Sequence, residues 1–299
     1  MPLILGAPTG DAYDSQGVPY NSYESLAIDR GMVNASYQAG ARLIPTGTYR
    51  VGHQLRLGDE PQDMTEELQE MLQMTFRHKR KILSVFQQTH PEIEPIINLH
   101  GVDTSPYRGP HRSFRRTQQY HAHMIEGCLN PLFPQRDTPL LYELIPTIEE
   151  ACVIAHLCRE YGWKVVISLY IKRDTAGNLC IQNQQGRLIP VIDALKQIEQ
   201  GADTSNSWYA FNCFDPRLTG DLIQLLEQSH LWPRVRGMYP NLADAENDLK
   251  YTPVWDSTTE SHLASWNPPS DDMPAFIGAC CGSTPEHIRT LRALLTQEN

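Results

Sequence analysis

The sequence predicts an α/β protein, a (β/α)8 barrel of the TIM type. Three observations carry this: eight short apolar runs rich in β-formers, a helical pattern after most of them, and a length of 299 residues, which suits eight such units. The runs are residues 3–5, 42–45, 95–99, 140–144, 164–169, 208–211, 235–238 and 275–278. An open doubly wound sheet shares this rhythm, and the count of eight favours the barrel. No linker interrupts the pattern, so residues 1–299 read as one domain.

After the second run, Leu68, Leu72, Thr75, Ile82 and Phe86 approximate one helical stripe. The third run precedes another stripe, Phe114, Thr117, His121, Ile125 and Cys128, at three- and four-residue steps. Helical patterns over 148–161, 189–198 and 218–226 follow the fourth, fifth and sixth runs. The Pro- and Asp-rich stretch 267–274 reads as a loop before the last strand. The final helix has the clearest start: Ser283-Thr284 offers a hydroxyl cap, Pro285 takes the first helical position and Glu286 is an early acid. It then buries Ile288, Leu291 and Leu295.

Composition narrows the function. A net charge of -10 disfavours a partner as anionic as nucleic acid or a membrane surface. The densest basic run, Arg77-His78-Lys79-Arg80-Lys81, reads as a solvated helix face near a C-terminal end, where cations suit the dipole. No apolar stretch approaches the roughly 20 residues that span a bilayer. The N-terminus has neither the basic start nor the apolar length of a signal peptide, so a cytoplasmic location is expected. No dinucleotide fingerprint or phosphate-binding loop is present. The seven cysteines are odd in number and lack a disulfide rhythm, which reads as reduced thiols. Cys128, Cys152 and Cys158 on helices, and Cys180 in a loop, fit packed core residues.

Three cysteines stand apart. In such a barrel chemistry gathers just after the strands. Cys213 follows the run 208–211, and Cys280 and Cys281 follow the run 275–278, which brings all three thiols to one mouth. Three thiolates suit zinc and leave a fourth tetrahedral position open, the mark of a catalytic metal site. A thiol entering there loses its proton at neutral pH and becomes a nucleophile. Three unrelated barrel cysteines is the reading that stands against this. His121 and His123, two residues apart, face different sides of a helix and do not make a metal pair. His121 reads as a packed or hydrogen-bonded histidine, and His287, at the start of the last helix, as structural.

Longer motifs sharpen the picture. Ile277-Gly278-Ala279-Cys280-Cys281-Gly282-Ser283-Thr284-Pro285-Glu286-His287-Ile288 resembles the double-cysteine signature of the homocysteine S-methyltransferase family. Asn212-Cys213, Tyr142-Glu143-Leu144-Ile145-Pro146 and Tyr239-Pro240-Asn241 resemble further segments of that family, in order. So do Tyr37-Gln38-Ala39-Gly40-Ala41 and Thr46-Gly47-Thr48-Tyr49. The resemblance implies a zinc-bearing (β/α)8 barrel that methylates homocysteine to methionine without cobalamin. It implies zinc ligands at Cys213, Cys280 and Cys281, and Glu143 as the holder of the substrate amino group. A carboxylate just inside a barrel mouth also suits an ammonium on chemical grounds, with an ion pair capping the barrel as the other reading. Asn212 is expected to position the loop or contact substrate.

The implied partners are a small-molecule thiol acceptor and an onium methyl donor: S-methylmethionine, S-adenosylmethionine or a betaine. The sequence departs from the family at strand one, where Gly6-Ala7-Pro8-Thr9-Gly10-Asp11 lacks the usual acidic residue; Asp11 or Asp14 is then its substitute. Gly47 replaces an asparagine and Ala279 a glycine. Two alternatives follow: a methyltransferase for another thiol, or a degenerate barrel that binds zinc or a thiol without methyl transfer. A zinc-assisted lyase or hydrolase would want a general base at the mouth, for which Glu143 is the sequence's candidate.

Overall fold

The computed structural model describes residues 2–6, 23–45, 66–101, 114–241, 256–269, 272–280 and 284–297. Its strands are short and apolar, and most are buried along their whole length. They are β1 (Leu3–Ile4), β2 (Leu43–Pro45), β3 (Glu94–His100), β4 (Leu140–Ile145) and β5 (Val165–Leu169). A small excursion of β6 (Lys172–Arg173), β7 (Leu179–Gln182) and β8 (Leu188–Pro190) precedes β9 (Ser207–Asn212), β10 (Val235–Tyr239) and β11 (Phe276–Ile277). Every residue of β4, β5, β9 and β10 is buried, as expected of parallel strands covered on both faces.

Eight strands pair in parallel in the order β1-β11-β10-β9-β5-β4-β3-β2. The ends of that order meet: Leu5 bridges Leu43, Gly6 N–H donates to the Leu43 carbonyl at 2.8 Å, and Arg42 N–H to that of Ile4 at 3.0 Å. The barrel expected from the sequence is therefore the observed fold. A helix follows each barrel strand: α1 (Tyr23–Ala39), α2 (Glu66–Thr89), α3 (Phe114–His123), α4 (Ile148–Glu160), α5 (Val191–Gly201), α6 (Thr219–Glu227), α7 (Ser257–Ala264) and α8 (Pro285–Gln297). Among the described residues no helix is long and apolar enough to cross a membrane.

Inward side chains fill the barrel. Leu5, Leu43, Ile96, Leu141, Val166, Trp208, Ala210 and Phe276 form one cluster there. Each such large apolar group contributes roughly 1.5–3 kcal/mol on burial. Gly237 is required by this packing, since a Cβ there would lie 2.3 Å from the Phe276 ring and 2.8 Å from Ala210 Cβ. A second apolar layer, including Ile97, Leu99, Tyr142, Ile145, Ile167 and Phe211, lies between the strands and the helices.

The structure corrects two expectations and adds elements. Cys180 lies in β7 rather than in a loop. The stripe of α3 begins at Thr117, because Phe114 is half exposed, and the helix widens into a π-helical segment, Met124–Leu129. The Gly127 carbonyl accepts there from the Gln69 and Gln73 amides of α2 at 3.3 and 2.6 Å. Helices α1 and α7 and the antiparallel sheet β6-β7-β8 are additions.

Candidate active site

Register places a polar ring above the apolar filling. Along each barrel strand alternate residues face inward. His100 pairs in register with Glu143, Ser168 with Ala210, and Asn212 with Tyr239. His100, Glu143, Ser168, Asn212 and Tyr239 are all buried at the strands' C-terminal ends. Asn98, one inward step below His100, is buried too.

Glu143 sits at the centre of this ring. Asn98 Nδ2 donates to its Oε2, His100 Nε2 lies 3.9 Å from the same oxygen, and the Tyr239 hydroxyl is beside it. Burial pushes the carboxyl up to about 7, although Asn98 and Tyr239 act in the opposite direction by favouring its charged form. Burial, together with the charge of Glu143, holds the Tyr239 phenol well above its ordinary range. A carboxylate poised near neutrality in a buried polar ring is prepared to receive a cation.

Asn212 ties three strand ends together. Its Oδ1 accepts from the Leu144 backbone N–H at 3.1 Å and from the Ser168 hydroxyl at 2.8 Å. Its Nδ2 approaches Cys280 Sγ at 3.7 Å. Leu144 and Cys213, each directly after a ring residue, both adopt φ of 55°, a conformation costly for a side chain with Cβ. At Cys213 the turn is secured on both sides: its N–H donates to the Tyr239 carbonyl at 3.3 Å, and its carbonyl accepts from Asn241 Nδ2 at 3.2 Å.

Cys213 and Cys280 meet at the mouth with their Cα atoms 5.5 Å apart, and their sulfurs are joined as a disulfide. The sequence reading expected these two to converge as reduced thiols; they converge, but as a disulfide, because the two turns bring their Cα atoms within disulfide-bonding distance. Cys281, the third cysteine of that reading, lies outside the described residues, as do Asp11, Asp14 and residues 46–49. Among the described residues no group of three His, Cys, Asp or Glu side chains forms a metal cluster. As a donor set, two facing sulfurs at the mouth and a third cysteine next in sequence suit zinc, provided the disulfide is reduced.

The other cysteines offer no rival site. Burial pushes the Cys128 thiol up to about 12 and Cys152 to about 11, and it raises Cys158 and Cys180 as well. His121 is fully buried and hydrogen-bonded to Glu150 at 2.9 Å, behind β4 rather than in the mouth. His100, Asn98 and Ser168 are the described ring residues that sequence reading missed. For His100 the signal is register: it ends a strand that pairs with the one bearing Glu143.

Comparison with known proteins places this geometry. The family described as homocysteine S-methyltransferase matches residues 30–295. The homocysteine methyltransferase MmuM from Escherichia coli, solved in its apo form, superposes with a TM-score of 0.65 at 18% identity, over 98% of this chain and 95% of that one. A putative alpha-L-fucosidase from Bacteroides thetaiotaomicron reaches 0.49 at 11% identity, over 99% and 92%. Endonuclease IV from Thermus thermophilus reaches 0.47 at 11% identity, over 90% and 94%; neither of these last two informs function. No curated protein matches the chain.

Proposed function

Because the chain belongs to the homocysteine S-methyltransferase family, and is a methyltransferase of that kind, we propose that it moves a methyl group from an onium donor to the sulfur of homocysteine, giving methionine, at a zinc centre on Cys213, Cys280 and Cys281. The observation that supports this reading best is the junction at one mouth of Cys213, Cys280 and Glu143's polar ring, bridged by Asn212. S-methylmethionine, S-adenosylmethionine and a betaine are the donors to test.

In this reading each residue has a physical task. Zinc, when bound, supplies a Lewis acid that keeps the acceptor sulfur ionised at neutral pH, so no protein base is needed for the thiol. Glu143 receives the amino group, and its ionisation is favoured once a cation offsets the cost of burial. Asn212 fixes the β4 and β9 ends relative to each other and to Cys280, which sets the spacing between sulfur and amino subsites.

The test is direct. Reduced, zinc-supplemented protein is assayed for metal content and for methionine formed from homocysteine with each donor. The expected result is one zinc per chain, its loss in Cys281→Ser, and methionine from at least one donor. Zinc without transfer from any donor would favour the binding barrel or another acceptor thiol. A chain that takes up no zinc when reduced would sink the metal assignment.

A further inference from the structure

We infer that the buried pair His121–Glu150 is a positioning device for the amino subsite: it holds the ends of β3 and β4 so that the Glu143 carboxyl meets the ammonium group of the acceptor. This rests on the acceptor assigned above. It goes beyond it by naming two residues behind the barrel wall that shape acceptor recognition without touching the acceptor.

Glu150 stands at the third position of α4, where its own N–H donates to the Thr147 hydroxyl at 3.3 Å. Thr147-Ile148-Glu149-Glu150 has the spacing of a capping box, in which such a glutamate reaches back to the cap. Here Glu150 Oε1 is bonded to His121 Nε2 of α3 at 2.9 Å, and both side chains are buried. A carboxylate offers only acceptors, so the imidazole donates. A hydrogen bond to a charged group, removed from water, is among the stronger ones a fold makes.

The pair brackets Glu143 in the chain. Before it, Tyr142 faces the helices, and its ring packs edge-on against the His121 imidazole with centroids 5.2 Å apart. After it, Leu144 turns through a φ of 55°, a conformation that persists only where its surroundings hold it. Asn212 secures that turn from inside the mouth, through the Leu144 N–H at 3.1 Å. Glu150 secures it from behind. A Cβ placed on Gly101 would lie 3.1 Å from Glu150 Oε1 and 3.3 Å from the Leu144 carbonyl, so glycine leaves the carboxylate its space. The Gly101 N–H in turn donates to the Glu143 carbonyl at 3.2 Å. Glu150 therefore packs where the ends of β3 and β4 meet, and His121 fixes the direction in which it points. Without the pair, the Glu143 end of β4 is free to shift, while the two sulfurs, which follow β9 and β11, keep their places.

The experiment uses the reduced, zinc-supplemented full chain. Amide hydrogen exchange is followed over residues 140–147. Calorimetry compares L-homocysteine with 4-mercaptobutanoate, which has the same thiol and carboxylate but no amino group. In His121→Leu, exchange in that segment should quicken by about tenfold. Homocysteine affinity should fall about fivefold, part of what one hydrogen bond to a charged group is worth. Binding of 4-mercaptobutanoate should stay within about twofold, and zinc content should not change. His121→Gln, whose amide nitrogen can stand in for Nε2, should recover most of both losses. Should the leucine variant not fold, the double variant His121→Leu/Glu150→Met removes both partners together and should show the same selective loss. Equal losses for the two thiols would overturn the inference. So would a lowered melting temperature with exchange and preference unchanged, which would make the pair a packing feature alone. Wild-type protein that binds both thiols alike would overturn the acceptor reading and the subsite with it, a result told apart from the others because it appears without any substitution.

Discussion

Two buried residues of the site differ sharply in what they cost the fold. Glu143 is ordinarily ionised above about 4.5, yet the fold holds its carboxyl up to about 7. Below the lower value both folded and unfolded chains carry the proton, so nothing is lost. As pH rises from there to about 7, the unfolded chain releases its proton first, and stability falls across that window. Glu143→Gln should therefore stabilise the ligand-free protein at pH 8 by on the order of 3 kcal/mol and have little effect near pH 4.5, while weakening homocysteine binding. Urea midpoints at the two pH values check this; a variant destabilised equally at both would show that the carboxylate carries no burial penalty. Asn212 is the opposite case. Replacing it with Leu removes the acceptor of the Leu144 N–H and the Ser168 hydroxyl inside a buried ring, at an expected cost of about 2–4 kcal/mol. Asn212→Asp keeps the oxygen that accepts both bonds and should cost less in the same denaturation series. Cys213, Cys280 and Glu143 were legible in sequence because each follows or ends an apolar run and sits in a longer motif. His100 was not, because a histidine after an apolar run has no meaning until pairing sets it beside Glu143.

Between residues and the barrel stand the turns that aim the site. His287 caps the start of α8, four residues after Cys280: the Thr284 N–H donates to His287 Nδ1 at 3.2 Å, and the Thr284 hydroxyl lies 2.8 Å from the same atom. This is the returning half of a capping box, with histidine in the place of the usual glutamate. Burial holds the His287 pKa below its ordinary value, in keeping with an Nδ1 that accepts. The unfolded chain takes up the proton first as pH falls, so this contribution is present above about 6.5 and is lost below it. His287→Ala should cost about 1 kcal/mol at pH 8 and less at pH 5. His287→Gln should keep the cap and flatten the dependence, and thermal unfolding at the two pH values distinguishes them. The sequence announced this helix start through Thr284 and Pro285. It also held signals for β6 to β8 that run-counting overlooks: Asp174 and Asn183 each accept backbone N–H groups two and four residues on, and Gly177 and Gly186 follow at φ of 88° and 83°. Such turns join strands too short to show an alternating pattern. Helix α1 escapes for another reason: Asn34 and Ser36 interrupt its apolar stripe, and Ser36 is nonetheless buried.

At the scale of the whole barrel, the two sulfurs join strands that do not touch. Cys213 follows β9 and Cys280 follows β11, with β10 between them and 67 residues of chain separating the two positions. Anything that links them closes a long loop and restrains the unfolded chain, which for a covalent link of this length is worth roughly 4 kcal/mol. A metal shared by the same sulfurs would stabilise the native state as well, by an amount that grows with its free concentration. The two links compete, since a sulfur bonded to its neighbour is not a thiolate ligand. Three preparations should therefore differ in order. The reduced, metal-free protein should melt lowest, and the oxidised and the reduced zinc-loaded forms should both melt higher. Zinc should raise the melting temperature only after reduction, and Cys281→Ser should lose that metal effect while keeping the gain from oxidation. Zinc uptake by the oxidised protein at the stoichiometry of the reduced one would mean that the metal, if bound, sits on residues other than Cys213 and Cys280.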